Sequence, residues 1–128
     1  IEETGEFVIN LTTRELCFAT DYCGVTSGEK VDKWEKCNLT KAPASMVSAP
    51  LIAESPVNIE CKVENKLSLG SHDMFIARVL AVDVDESLID DKGRLELDRA
   101  GLIAYNHGEY FLLGEKLGKF GYSVRKKK

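Results

Sequence analysis

Between positions 57 and 84 the chain alternates as a β-hairpin does. Val57, Ile59, Cys61, Val63, Leu67 and Leu69 share one parity, Asn58, Glu60, Lys62, Glu64, Lys66 and Ser68 share the other, and only Asn65 breaks the order. Side chains point to alternate faces along a strand, so this run predicts a half-buried strand whose polar parity meets water. Gly70-Ser71-His72-Asp73 supplies a turn. The following run, residues 74–84, is apolar on both parities, with Ile76, Leu80, Val82 and Val84 against Phe75, Ala77, Val79 and Ala81. A strand of that kind is expected to be covered twice, by a barrel interior on one side and by a helix or second subunit on the other.

The rest of the pattern is shorter in range. Phe7, Ile9 and Leu11 alternate with Val8 and Asn10, predicting a strand over residues 6–11. Thr12-Thr13-Arg14-Glu15 has the form of a capping box, in which Thr12 and Glu15 satisfy first-turn amides of a helix that runs to about Tyr22 and stops at Gly24. Ser27 is expected to cap a second short helix over residues 29–37, with Val31, Trp34 and Cys37 as its inner stripe. Pro43, Pro50 and Pro56 make residues 39–56 an extended connector with Leu51 and Ile52 tucked in. Two short strands flank Asn106-His107-Gly108, at residues 102–105 and 109–113. Gly114, Gly118 and Gly121 keep the last segment from being a regular helix or strand throughout. Ile1 to Gly5 reads as the last turn of a helix stopped by glycine.

Composition narrows the function classes. A chain of 128 residues, 44% hydrophobic and 30% charged, fits a single domain over 1–128 with one core. Its net charge of -4 argues against a nucleic-acid partner, since phosphate backbone binding leans on a basic surface. Arg125-Lys126-Lys127-Lys128 is the one basic cluster and reads as a solvated tail. No run approaches the roughly 18 apolar residues of a membrane helix. Cys17, Cys23, Cys37 and Cys61 form no Cys-x-x-Cys pair, so the expectation is reduced thiols in a cytoplasmic protein, without zinc. In that setting the Asn10-Leu11-Thr12 and Asn38-Leu39-Thr40 sequons carry no glycan.

Candidate chemistry is sparse. Asp90-Asp91-Lys92-Gly93 lacks the spacing and flanking helices of a calcium loop, and no Gly-x-Ser-x-Gly elbow is present. His72, in a glycine-containing turn between strands, is placed to face a ligand or simply solvent. Lys33 follows Ser27-Gly28 at a helix start, where backbone amides and a lysine together suit an anion.

Several of these stretches, in order, resemble the flavin reductase-like, FMN-binding split-barrel proteins, and within them the flavoredoxins. The resemblance is carried by Phe7-Val8-Ile9-Asn10-Leu11, by Asp21-Tyr22-Cys23-Gly24 with Ser27-Gly28 and Asp32-Lys33, and by Ser48-Ala49-Pro50-Leu51-Ile52. It continues through Gly70-Ser71-His72-Asp73 and Leu102-Ile103-Ala104-Tyr105 to Gly118-Lys119-Phe120-Gly121. What it implies is a mainly β fold, an antiparallel Greek-key split barrel with two short helices, which forms a homodimer and holds FMN near the subunit interface. Asn10, Ser27, Gly28, Lys33, Ser71 and His72 match cofactor-binding positions, with Tyr105 and Phe111 as aromatic contacts. The resemblance further implies a nicotinamide nucleotide or a reduced protein such as a ferredoxin as electron donor. Family members carry a segment before the position matching Ile1, so the barrel is expected to be incomplete at the N-terminus, with exposed sheet edges. A non-catalytic dimeric module that has lost flavin binding is the alternative.

Overall fold

The computed structural model describes residues 1–125, so Lys126 to Lys128 of the basic cluster lie outside the described residues. The central element is the hairpin of β4 (Val57–Ser68) and β5 (Asp73–Val84), joined to β1 (Glu6–Asn10) in an antiparallel sheet of order β1-β4-β5. The turn forms as the sequence predicts: Gly70 takes φ +84° and the Leu69 N–H donates to the His72 carbonyl at 2.8 Å. Register runs from Val57 opposite Val84 to Ser68 opposite Asp73, with irregularities after Glu60 and after Val63. The second of these explains Asn65. Val63 faces Ala77 and Asn65 faces Ile76, so Glu64 is an extra residue and the hydrophobic parity slips there.

One expectation for this hairpin fails and another is met only in part. The polar parity of β4 is not wet along its length, because Asn58 and Glu60 are buried and Glu60 has no exposed surface at all. What covers them is the connector, whose loop at residues 43–48 folds across the sheet. The Glu60 carboxylate accepts the Ser45 N–H and hydroxyl at 2.8 Å each, the Met46 N–H at 2.6 Å and the Val47 N–H at 3.0 Å. Glu6 holds the end of the same strap, accepting the Ser48 N–H at 2.8 Å, and this bond keeps its carboxyl below the usual range. For β5, cover of the second face by a helix of this chain does not occur: Ile76, Val79 and Val82 remain 45%, 55% and 52% exposed, which leaves the expected second subunit as the other cover.

The two faces of the sheet differ in kind. One carries the cross-strand rows Ile9-Ile59-Val82 and Phe7-Cys61-Val79, and the other carries Asn10-Asn58-Asp83 and Val8-Glu60-Ala81. The core is correspondingly small, with Leu16, Ala19, Leu51, Val57, Cys61 and Leu88 as its buried apolar residues.

The helices depart from the sequence reading by small, explicable shifts. Helix α1 (Cys17–Val25) runs through Gly24, and Thr26 leaves it in an extended conformation. Thr13, one residue later than predicted, caps the turn before it: its hydroxyl accepts the Leu16 N–H at 3.4 Å. Glu15 lies below the usual carboxyl range through its own backbone N–H and the Thr13 hydroxyl. Helix α2 (Lys33–Lys36) is a single turn, shorter than residues 29–37, because Asp32 rather than Ser27 is its cap. Asp32 Oδ1 accepts from the Trp34 N–H at 2.9 Å and the Glu35 N–H at 3.3 Å. Replacing Asp32 by Ala is expected to cost about 1 kcal/mol in urea unfolding, the ordinary loss of such a cap.

The connector contains a two-residue ladder of β2 (Lys41–Ala42) and β3 (Leu51–Ile52), with Leu51 buried as expected. Strands β6 (Ile103–Asn106) and β7 (Glu109–Leu112) form the last hairpin. Its two-residue turn places His107 at φ +50° and Gly108 at φ +89°, the backbone pair that matches strand twist. Ile1 to Gly5 is one turn closed by the Gly5 N–H on the Ile1 carbonyl at 2.8 Å, with Gly5 at φ +67°. No helix among the described residues is long and apolar enough to cross a membrane.

Candidate functional site

The loop between α1 and α2 gathers Ser27, Gly28 and Lys33. The Ser27 hydroxyl accepts the Glu29 N–H at 3.3 Å, a local turn rather than a helix cap. Lys33 Nζ donates to the Cys23 carbonyl at 2.7 Å, placing a cation on the C-terminal carbonyls of α1 where the helix dipole favours it. An ammonium has three donors, so two remain for another acceptor. Gly28 packs beside it, since a Cβ there would lie 3.9 Å from Lys33 Cε. Gly28, Lys33 and Trp34 line a shallow cavity of about 530 Å³. The predicted use of the α2 start as an amide anion site does not hold, because the Asp32 carboxylate already occupies those amides.

Ser71 and His72 sit together on the exposed β4–β5 turn, with Ser71 Oγ and His72 Nδ1 2.8 Å apart. That bond engages one ring nitrogen and orients the imidazole, leaving Nε2 for a ligand. Asp73 beside them is held below the usual range chiefly by Lys66, 3.0 Å away, which also pairs with Glu2.

Asn10 has a different environment. Its Nδ2 donates to the Val8 carbonyl at 3.4 Å and its Oδ1 accepts the Ile52 N–H at 3.3 Å, so it ties β1 to β3 on the polar face of the sheet. Asn58 accepts the same Ile52 N–H at 3.2 Å.

Tyr105 and Phe111 are not brought together. Tyr105 faces Tyr110 and Ala104 faces Phe111, so the two predicted aromatics lie on opposite sides of the β6–β7 hairpin. Tyr105 instead meets Tyr110 edge to face at 5.2 Å. Tyr110 is the residue that sequence reasoning missed: its hydroxyl donates to Asp21 Oδ1 at 3.2 Å and joins this hairpin to α1. Burial and then Asp21 raise its phenol above the usual range. The two-residue Asn106–Glu109 turn was the available signal, because it fixes which residues face one another. A larger groove of about 900 Å³ lies elsewhere, along Leu102, Leu113, Leu117 and Tyr122, and contains none of the predicted residues.

The architecture has known counterparts. Residues 1–112 match the flavin reductase like domain. The fold superposes on a flavoredoxin of Desulfovibrio vulgaris (Miyazaki F) with a TM-score of 0.88 and 32% identity, covering 98% of this chain and 68% of that one. It also matches an FMN-binding protein from Thermus thermophilus, seen with bound 1-cyclohex-2-enone, at a TM-score of 0.70 and 25% identity, covering 90% of this chain and 62% of that one. An uncharacterized protein of Archaeoglobus fulgidus is 36% identical over 72% of this chain and 52% of its own length. The chain thus spans about half the length of the curated relatives it matches. With its split-barrel fold and a domain match over residues 1–112, the chain belongs to the flavin reductase-like family.

Proposed function

We propose that this chain forms part of a cytoplasmic, homodimeric flavoprotein that passes reducing equivalents through FMN. The donor would be a nicotinamide nucleotide or a reduced redox protein, and the acceptor free flavin or another protein. The observation that carries this reading is the likeness to a flavoredoxin over 98% of the chain. The matching FMN-binding protein supports FMN as the flavin.

The donor set suits such a group. Lys33, with two unused donors beside Gly28, would bind the phosphate, and Ser27 would border it. Ser71 and His72 would hydrogen-bond to the polar edge of the ring. Tyr105 and Phe111 occupy opposite hairpin faces, so one of them would stack on a given flavin. Asn10 would act by fixing the strand end through Ile52. Bound flavin supplies the redox chemistry itself, and no acid–base dyad is required of the protein.

A second reading is a non-catalytic dimeric assembly module, for which the exposed apolar row that contains Ile9 and Val82, 45% and 52% exposed, would serve dimerisation as it would in the flavoprotein. Absorbance titration with FMN separates the two. The expected result is a saturable change in the flavin spectrum, weakened about tenfold in Lys33→Glu and less in Lys33→Gln, which keeps a donor for the Cys23 carbonyl. A spectrum unchanged at every flavin concentration, both for the chain alone and with the N-terminal segment supplied, would overturn the flavoprotein reading and leave the assembly module.

A further inference from the structure

The cysteines are unevenly placed. Cys61 is buried on the central strand β4, whereas Cys23, near the end of α1, and Cys37, at the C-cap of α2, are both half-buried with their sulfurs 4.0 Å apart. We propose that Cys23 and Cys37 form a redox-modifiable dithiol site that exchanges with small-molecule disulfides and closes into a bridge between the two helices.

Geometry and the exposure of the intervening loop both support closure. A disulfide has its sulfurs about 2.05 Å apart, so the present separation must shorten by about 2 Å. The two cysteines belong to separate short helices joined by a loop that is exposed at Ser27, Gly28, Glu29, Lys30 and Asp32. Few buried contacts oppose a small rearrangement there. Burial and the neighbouring Cys23 raise the Cys37 thiol above its ordinary range, in keeping with a reduced resting pair in contact. Lys33 and Lys36 lie close enough to favour the thiolate when it forms.

The exchange balances without any further reagent. One protein thiolate attacks a small disulfide, whose sulfur–sulfur bond breaks and whose leaving sulfur takes up a proton. The second protein thiol loses its proton and attacks the protein sulfur of the mixed disulfide, releasing the other small thiol. Two protein thiols are oxidised and one small disulfide is reduced to two thiols. The bridge would close a loop over residues 23–37 that contains Ser27, Gly28 and Lys33, although the site itself does not depend on flavin binding.

The test uses the chain with glutathione disulfide, followed by alkylation, intact mass and peptide mapping. The reduced chain carries four titratable thiols, Cys17, Cys23, Cys37 and Cys61. After exchange two are expected to remain, with the mass lower by two hydrogens, a linked peptide joining Cys23 to Cys37, and full recovery on adding dithiothreitol. Cys23→Ser and Cys37→Ser should each stop at a mixed disulfide with one glutathione, while Cys17→Ser closes as the parent does. Retention of all four thiols, accumulation of mixed disulfide in the parent chain, or a bridge mapped to another pair would overturn the proposal.

Discussion

Glu60→Gln is expected to lower the melting midpoint of the chain by on the order of 10 °C, measured by thermal unfolding at neutral pH. The substitution keeps the volume and changes the hydrogen-bonding chemistry. In the parent chain both carboxylate oxygens only accept, and they accept from the Ser45 N–H and hydroxyl and from the Met46 and Val47 N–H groups. An amide turns one acceptor into two donors, so one or more strap amides would face N–H groups in a site with no exposed surface. Charge-assisted bonds are also stronger than neutral ones, so the remaining acceptor holds less firmly. With the strap loosened, Asn58 and Glu60 lose their cover and β3 loses its anchorage on the Asn10–Asn58 row. Glu60→Ala would remove the acceptor entirely and is expected to fall further. A midpoint within a degree or two of the parent would show that the strap is held by something other than this carboxylate.

That single residue also shows where a sequence stops being readable. The hairpin, its turn and its register were written in local signals: alternation over a dozen residues, a glycine at the turn, and an Asn65 break that marks a bulge. The connector was legible from its prolines, and Leu51 from its apolarity. Glu60 read as a wet position because nothing within a strand's length betrays its cover. The strap that buries it comes from residues 45–47, a separation of 13 to 15 positions, and its recognition groups are backbone amides, which every residue has. Helix starts slipped for a related reason. Thr12 and Thr13 offer the same hydroxyl, and Ser27 and Asp32 are both good caps, so the choice falls to tertiary contacts such as the bridge between Thr13 and Leu102. Among the candidate ligand contacts, Ser27, Gly28 and Lys33 were brought into one loop by sequence proximity. Tyr105 and Phe111 were separated by strand parity, and Asn10 was drawn into the polar row by pairing with Asn58. The exposed face of β5 is apolar by composition, and no local rule distinguishes a helix of the same chain from a second subunit as its cover.

The same carboxylate and its neighbour Asp83 are expected to give the chain a stability profile that falls on both sides of an acid optimum. The rows place Asn10, Asn58 and Asp83 beside Val8, Glu60 and Ala81, with the strap amides above and Lys62 paired with Glu6 one row along. Asp83 Oδ2 is buried without a hydrogen-bond partner among the described residues. Burial, and then the neighbouring Glu60, raise its pKa, so Asp83 keeps its proton to higher pH than a free aspartate does. The strap donors act against burial on Glu60 and carry its pKa down from 4.5 to about 2. A depressed carboxyl contributes stability that is present above its unfolded value and is lost as pH falls through the folded one. The Glu60 contribution should therefore fade between pH 4.5 and about 2. Asp83 has the opposite sign: its folded form holds a proton that the unfolded chain has already released, so its contribution is present below 3.8 and is lost as pH rises through the raised value. Asp83→Asn separates the two limbs. Its amide keeps the size of the side chain but cannot titrate, so urea unfolding across the acid range should keep the low-pH loss and abolish the decline on the high-pH side. A profile in Asp83→Asn that keeps both limbs would mean that the high-pH decline does not come from a proton held at Asp83.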